Sequence, residues 1–191
     1  MKQRLAIFAA LAAIAAIGYA QERQPRGTAD TKISGKEVVI DYGRPALKGR
    51  TVSELIKNLP PDRVWRAGEN QVTTLSTGVA LKIGDKVVPA GKYSLYIHAP
   101  ESGNWSLIVN KNLGIPLGEL WSEAPPEMAK EPWPSLAGYD KIKAEEVTRI
   151  ELEKVTGKPT DVFTIMLNAT RLQLSWGDMS WETRVSSANP S

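Results

Sequence analysis

Short runs of β-branched and aromatic residues, broken by Gly, Pro, Asn and Asp, recur through this chain from residue 37 to residue 185. That is the pattern of an antiparallel all-β domain, in which every second side chain faces a core. Strands are predicted over residues 37–42, 71–77, 79–83 and 87–88, the last two meeting across Gly84-Asp85. Residues 93–99 and 105–110 form a second hairpin around Pro100 to Asn104. Four more strands are predicted at 146–155, 162–169, 171–176 and 180–185. In 146–155, Val147, Arg149, Glu151 and Glu153 face one way and Thr148, Ile150, Leu152 and Lys154 the other. One helix interrupts the pattern. Thr51-Val52-Ser53-Glu54 reads as a capping box, and Val52, Leu55, Ile56 and Leu59 fall on one face of a helix over 52–58, ended by Pro60-Pro61. The fold class is therefore all-β, an antiparallel β-sandwich with one short helix and one long loop. Its core draws on Val38, Ile40, Leu95, Ile97, Leu107, Val109, Ile150, Leu152, Phe163, Ile165, Leu167, Leu172 and Leu174.

The long loop, residues 111–141, holds five prolines with Trp121, Trp133 and Tyr139. Proline removes backbone donors and fixes φ, which argues against a continuous helix or strand there. Such a loop either wraps over one end of the sandwich or serves binding. The N-terminus has a different pattern. Lys2 and Arg4 precede an apolar run from Leu5 to Ile17, with small Gly18 and Ala20 before Gln21. The run is shorter than the ~20 residues that span a bilayer, so it reads as a cleavable export signal. This divides the chain into a signal at 1–20, a polar leader at 21–32, a β-sandwich domain at 33–186 and a tail at 187–191. The expected location is periplasmic or secreted, with no membrane span after cleavage.

Composition changes this picture little. The formal charge of +3 includes Lys2 and Arg4, so the mature chain is near neutral at about +1 and gives no electrostatic case for nucleic acid. The absence of cysteine removes disulfides, thiol nucleophiles and a lipidated cysteine. The sequence has no phosphate loop, nucleotide fingerprint, nucleophile elbow or zinc spacing, so no cofactor, metal or catalytic residue is assigned.

Several segments occur in a fixed order: Asp41-Tyr42-Gly43-Arg44-Pro45, Leu47-Lys48-Gly49-Arg50, Val64-Trp65-Arg66-Ala67-Gly68-Glu69-Asn70, Pro89-Ala90-Gly91-Lys92-Tyr93-Ser94-Leu95 and Trp105-Ser106-Leu107-Ile108-Val109-Asn110. In this series the chain resembles an exported bacterial family, domain of unknown function 2911, over about residues 33–185. The ordered set is more specific than any one segment. The family carries no established activity, so the resemblance implies export and a β-rich fold and assigns no catalytic role. Family members often have a shorter segment where this chain has its Pro- and Trp-rich loop, which marks 111–141 as a local elaboration.

The candidate ligand-binding residues are Tyr42, Arg44, Arg50, Trp65, Arg66, Glu69, Asn70 and His98. Guanidinium groups among aromatic faces suit a carboxylate, phosphate or sugar, because arginine donates forked hydrogen bonds and stacks on rings. The structural alternative is that Arg66 pairs with Asp41 or Glu69 and that Arg44 and Arg50 satisfy loop carbonyls. His98, the sole histidine, suits a general base or an ordinary hydrogen-bonded side chain. Of the six tryptophans, Trp105 and Trp176 belong inside, and Trp121 and Trp133 are the candidates for exposure. Three functions are open: an exported non-catalytic domain that binds a small polar ligand, a glycan or an envelope partner; an exported hydrolase using a carboxylate pair or His98; and a structural envelope protein. On the binding reading, Arg44 and Arg66 converge with Tyr42, Glu69 and His98 in one accessible pocket.

Overall fold

The computed structural model describes residues 26–135 and 138–189; the expected export signal lies outside them. Two antiparallel sheets face each other. The first runs, in spatial order, β1 (Gly27–Ile33), β2 (Lys36–Tyr42), β4 (Thr73–Thr77), β7 (Gly91–His98), β8 (Ser106–Asn110) and β11 (Glu146–Glu151), with β3 (Val64–Trp65) added to β7. The second runs β13 (Thr160–Leu167), β14 (Arg171–Gly177), β15 (Met179–Ser187), β5 (Leu81–Ile83) and β6 (Lys86–Val88), with β12 (Glu153–Val155) paired to β15. The all-β sandwich is thus the architecture of the protein.

Alternation along the strands builds the core. Ile40, Leu75, Leu95, Ile97, Leu107 and Val109 point from the first sheet at Phe163, Ile165, Leu172, Leu174 and Trp181 from the second, all buried in one cluster. Trp105 stacks on Trp181 with ring centroids 3.9 Å apart. Burial of side chains this large supplies most of the driving force for the sandwich, about 1.5–3 kcal/mol for each large apolar residue. Leu167 alone of the thirteen expected core residues is only partly buried, at the end of β13. Helix α1 (Val52–Lys57) carries the expected capping box: the Thr51 hydroxyl accepts from the Glu54 N–H and the Glu54 carboxylate accepts from the Thr51 N–H.

Three elements differ from the sequence expectation. First, the latter part of the leader is strand β1. Ser34 and Gly35 both have positive φ, 49° and 72°, which is the two-residue turn that joins β1 to β2 in a tight hairpin. Ala29 and Ile33 are buried, but glycine and alanine contribute too little hydrophobicity for the alternation to stand out. Second, the strand expected at 146–155 is two strands in different sheets. At Leu152, which is fully buried, the chain leaves β11 in the first sheet for β12 in the second, and the Leu152 N–H donates to the Trp105 carbonyl at 2.8 Å. Third, β3 is a short extra strand that the alternation does not reveal.

The opposite side of the sandwich is also bridged. After β2, the Leu47 N–H donates to the Asp161 carbonyl and the Phe163 N–H to the Pro45 carbonyl, both at 2.9 Å. The long loop contains a two-stranded ladder of β9 (Ile115–Pro116) and β10 (Pro132–Trp133) and a single helical turn, α2 (Leu117–Leu120). Its end folds over the outer face of the first sheet, where Tyr139 and Ile142 bury Tyr96 and Ile108 in a second apolar cluster with Val64. The middle of the first sheet is consequently covered on both faces. Among the described residues, no helix is long and apolar enough to cross a membrane.

Candidate functional site

One cavity lies where the turn after α1, strand β3 and the end of the long loop meet above the outer face of β7. It encloses about 310 Å³. Pro60 and Pro61 stop the helix, since neither offers an N–H and each disfavours helical backbone in the residue before it. Asp62 then organises the wall. Its Oδ1 accepts the Val64 N–H at 3.1 Å and its Oδ2 accepts the Tyr139 N–H at 3.0 Å, tying the turn to the end of the loop.

Strand β3 pairs Val64 with His98 and Trp65 with Ile97. Alternation therefore sends Val64 to the outer cluster and the Trp65 ring inward. That ring stacks on Trp176 at 5.0 Å and meets Phe163 edge-on at 4.9 Å. Arg66, two residues beyond Val64, lines the cavity with Asp62, Tyr96, Tyr139 and the apolar Leu59, Pro60 and Ile142. The following loop is held in place by unusual backbone, with Ala67 and Asn70 at positive φ of 51° and 60°. The Thr73 hydroxyl donates to the Ala67 carbonyl at 2.8 Å.

Arg66 has an unusual electrostatic position. Burial lowers its pKa from the ordinary value, against the opposing pull of Tyr96 and Glu69. Among the described residues its guanidinium forms no ion pair or hydrogen bond. Arg66 is half-buried, and a charge partly withdrawn from water without a direct partner carries a desolvation cost. The Tyr96 hydroxyl is also buried without a hydrogen-bond partner, and burial pushes its pKa up to about 12, with Ser94 and Arg66 drawing it the other way. The neighbouring phenol has what these two lack. The Tyr139 hydroxyl donates to Glu146 at 2.9 Å and accepts from the Asn110 side-chain amide at 3.0 Å, while Arg149 grips both Glu146 oxygens at 3.1 and 2.9 Å. That network is closed and structural.

Of the eight residues singled out from the sequence, Trp65 and Arg66 line this cavity; the other six lie elsewhere. Tyr42 is buried in the core, where its hydroxyl donates to the Ile165 carbonyl at 3.4 Å and its ring meets Phe163 edge-on. Arg44 is half-buried and its Nε has no hydrogen bond. Arg50 is exposed and donates to the Leu47 carbonyl at 3.0 Å, as the structural alternative expects. Glu69 has a buried Oε1 without a partner, and Asn70 supports a backbone turn. Asp41 pairs with Arg26, at 2.5 Å, and not with Arg66.

His98 opens into a neighbouring cleft with Asp140, Lys143 and Arg149, across the shared wall of Asp62, Val64 and Tyr139. The five residues expected to converge are thus distributed over the core, two loops and two clefts. Trp105 and Trp176 are buried, Trp121 is exposed and Trp133 is half-buried. Sequence reasoning missed Asp62, Tyr96 and Tyr139. The available signal was Asp62 directly after Pro60-Pro61, a common Asx-turn setting. Among the described residues, no three His, Asp or Glu side chains stand together in a way that could hold a metal ion.

Compared with known proteins, residues 24–185 match the family described as Protein of unknown function (DUF2911). No curated protein and no solved structure matches the chain.

Proposed function

Since the chain belongs to the DUF2911 family, whose description names no activity, we propose from its own residues that it is a non-catalytic binding domain for a small anionic ligand. The observation that carries this reading is Arg66: a half-buried guanidinium with no hydrogen bond or ion pair among the described residues, lining a cavity of about 310 Å³. An incoming carboxylate would supply the charge and forked acceptor geometry that the fold withholds. The cavity volume lies at the lower end of the range for small-molecule pockets, which favours a metabolite-sized ligand over a glycan chain or a protein partner. His98 lies outside the cavity, in the adjoining cleft, which supports binding over hydrolysis as the use of this site. In this reading the export signal at residues 1–20 delivers the site to the periplasm or the medium.

Removal of the charge tests the proposal. Arg66→Met should weaken binding of small carboxylates by at least about tenfold, since hydrogen bonds to charged groups contribute roughly 1.5–3 kcal/mol. It should leave the melting temperature of the free protein unchanged or raised, because no protein ion pair is lost. Isothermal titration and thermal melts of the two proteins read both quantities. A melting temperature lowered by several degrees with unchanged affinity would assign Arg66 to the scaffold and end the proposal.

A further inference from the structure

The cavity that Arg66 lines is bordered by a second charge that stands outside any ion pair among the described residues. Asp62 lines the same space. Among the described residues, no cation forms an ion pair with it. Its two oxygens accept the backbone N–H groups of Val64 and Tyr139. A carboxylate has about four acceptor sites, so those two bonds leave capacity for a further donor. Arg66 and Asp62 do not pair with each other, although only three residues separate them. One small cavity is therefore bordered by a cation and an anion, neither held in an ion pair among the described residues, beside apolar Leu59, Val64 and Ile142.

From this juxtaposition we infer that the ligand is a small zwitterion, an α-amino acid with an apolar side chain, whose carboxylate meets Arg66 and whose ammonium meets Asp62. The inference rests on the anion-binding reading of Arg66 and adds the second pole. A dianion such as phosphate brings more negative charge than one guanidinium neutralises and is repelled by Asp62. A simple amine leaves Arg66 unmatched. A fatty acid satisfies Arg66 but leaves Asp62 facing hydrocarbon, which is unfavourable for a carboxylate. Only a molecule with both charges and a compact apolar body matches all three features, and the enclosed volume suits a side chain between those of alanine and phenylalanine.

The experiment is a calorimetric titration of the mature protein with neutral L-amino acids from alanine to phenylalanine, each beside its deaminated acid and its decarboxylated amine. For leucine these are 4-methylpentanoate and 3-methylbutylamine. The expected result is that at least one amino acid binds about tenfold or more tightly than both of its fragments, the effect of one lost charge-assisted hydrogen bond. Asp62→Asn should abolish that amino acid's advantage over its deaminated acid, weakening the amino acid while the acid, no longer facing the carboxylate, binds more tightly than to the wild type. The comparison on the wild-type protein stands even if this variant folds poorly, because Asp62 also holds two loops. Deaminated acids that bind as tightly as their amino acids would overturn the zwitterion and leave the anion site standing. Failure of every carboxylate would overturn both.

Discussion

At the scale of single residues, the chain contains two kinds of polar burial. Glu146, Arg149, Tyr139 and Asn110 form a closed network, whereas Tyr96 and Glu69 each retain a buried oxygen that the fold does not satisfy. His98 stands between them and gives a dependence on pH. Desolvation lowers its pKa from the ordinary 6.5; Arg149 and Arg63 add to the shift, and Asp62 and Glu146 oppose it. Between the folded and unfolded values the unfolded chain binds more protons, so stability rises with pH across that interval and falls as pH drops below about 6.5. Melting temperatures from pH 7 to pH 5 should decline in the wild type and decline less in His98→Gln. Equal slopes would show that other groups carry the dependence. Glu146 acts in a lower window. Burial opposes its ionisation, but Arg149 and Tyr139 hold its pKa below 4.5, so its stabilising contribution is present above that value and lost as pH falls through the folded pKa.

This division also explains what the residues disclosed in advance. Arg66 was recognisable because guanidinium groups among aromatic residues in the loops flanking the helix suit a ligand. Its lack of a partner was not, because pairing depends on distances that spacing along the chain does not contain. Tyr96 was hidden for a different reason. It sits in a strand where residues 93 to 97 are all buried, and nothing local tells which face a distant loop will cover.

At the scale of elements, the clearest predictions came from self-contained signals. The capping box of α1 and the hairpin of β7 and β8 depend on residues close together in sequence, and both formed where expected. The switch of sheets at Leu152 depends on the Trp105 carbonyl, which is distant in the chain, and periodicity passes through it unbroken. Gly43 shows how closely such distant elements approach. A Cβ at this position would collide with the backbone carbonyl oxygen of Glu69, and no rotamer change relieves a clash with backbone. Gly43→Ala should therefore cost about 3 kcal/mol or more, well beyond an ordinary surface change. Urea denaturation measures this, and a loss under about 0.5 kcal/mol would mean that the loop carrying Arg66 can shift freely.

At the scale of the whole molecule, the folded unit begins earlier than the alternation suggests. Arg26 donates to Asp41, Gln71 and Val72, and β1 follows it immediately. An export signal ending at Ala20 leaves all of these residues in the mature protein. Intact-mass measurement on protein from a bacterial envelope fraction should give a chain beginning at Gln21. Recovery in the cytoplasm with Met1 retained would refute export, and a start beyond Arg26 would place the processing site inside the fold.

The two crossings between the sheets have a mechanical consequence. At one side Pro45 and Leu47 share hydrogen bonds with the second sheet, and at the other the chain passes from the first sheet to the second at Leu152. A sandwich with free sides can open like a book, one cover swinging from the other. Here both sides are stitched, so the covers cannot part without tearing backbone hydrogen bonds at one seam, and partial opening gives way to a single cooperative rupture. The cavity, built on the outside of one cover, can therefore fill and empty without disturbing the binding that holds the pages together.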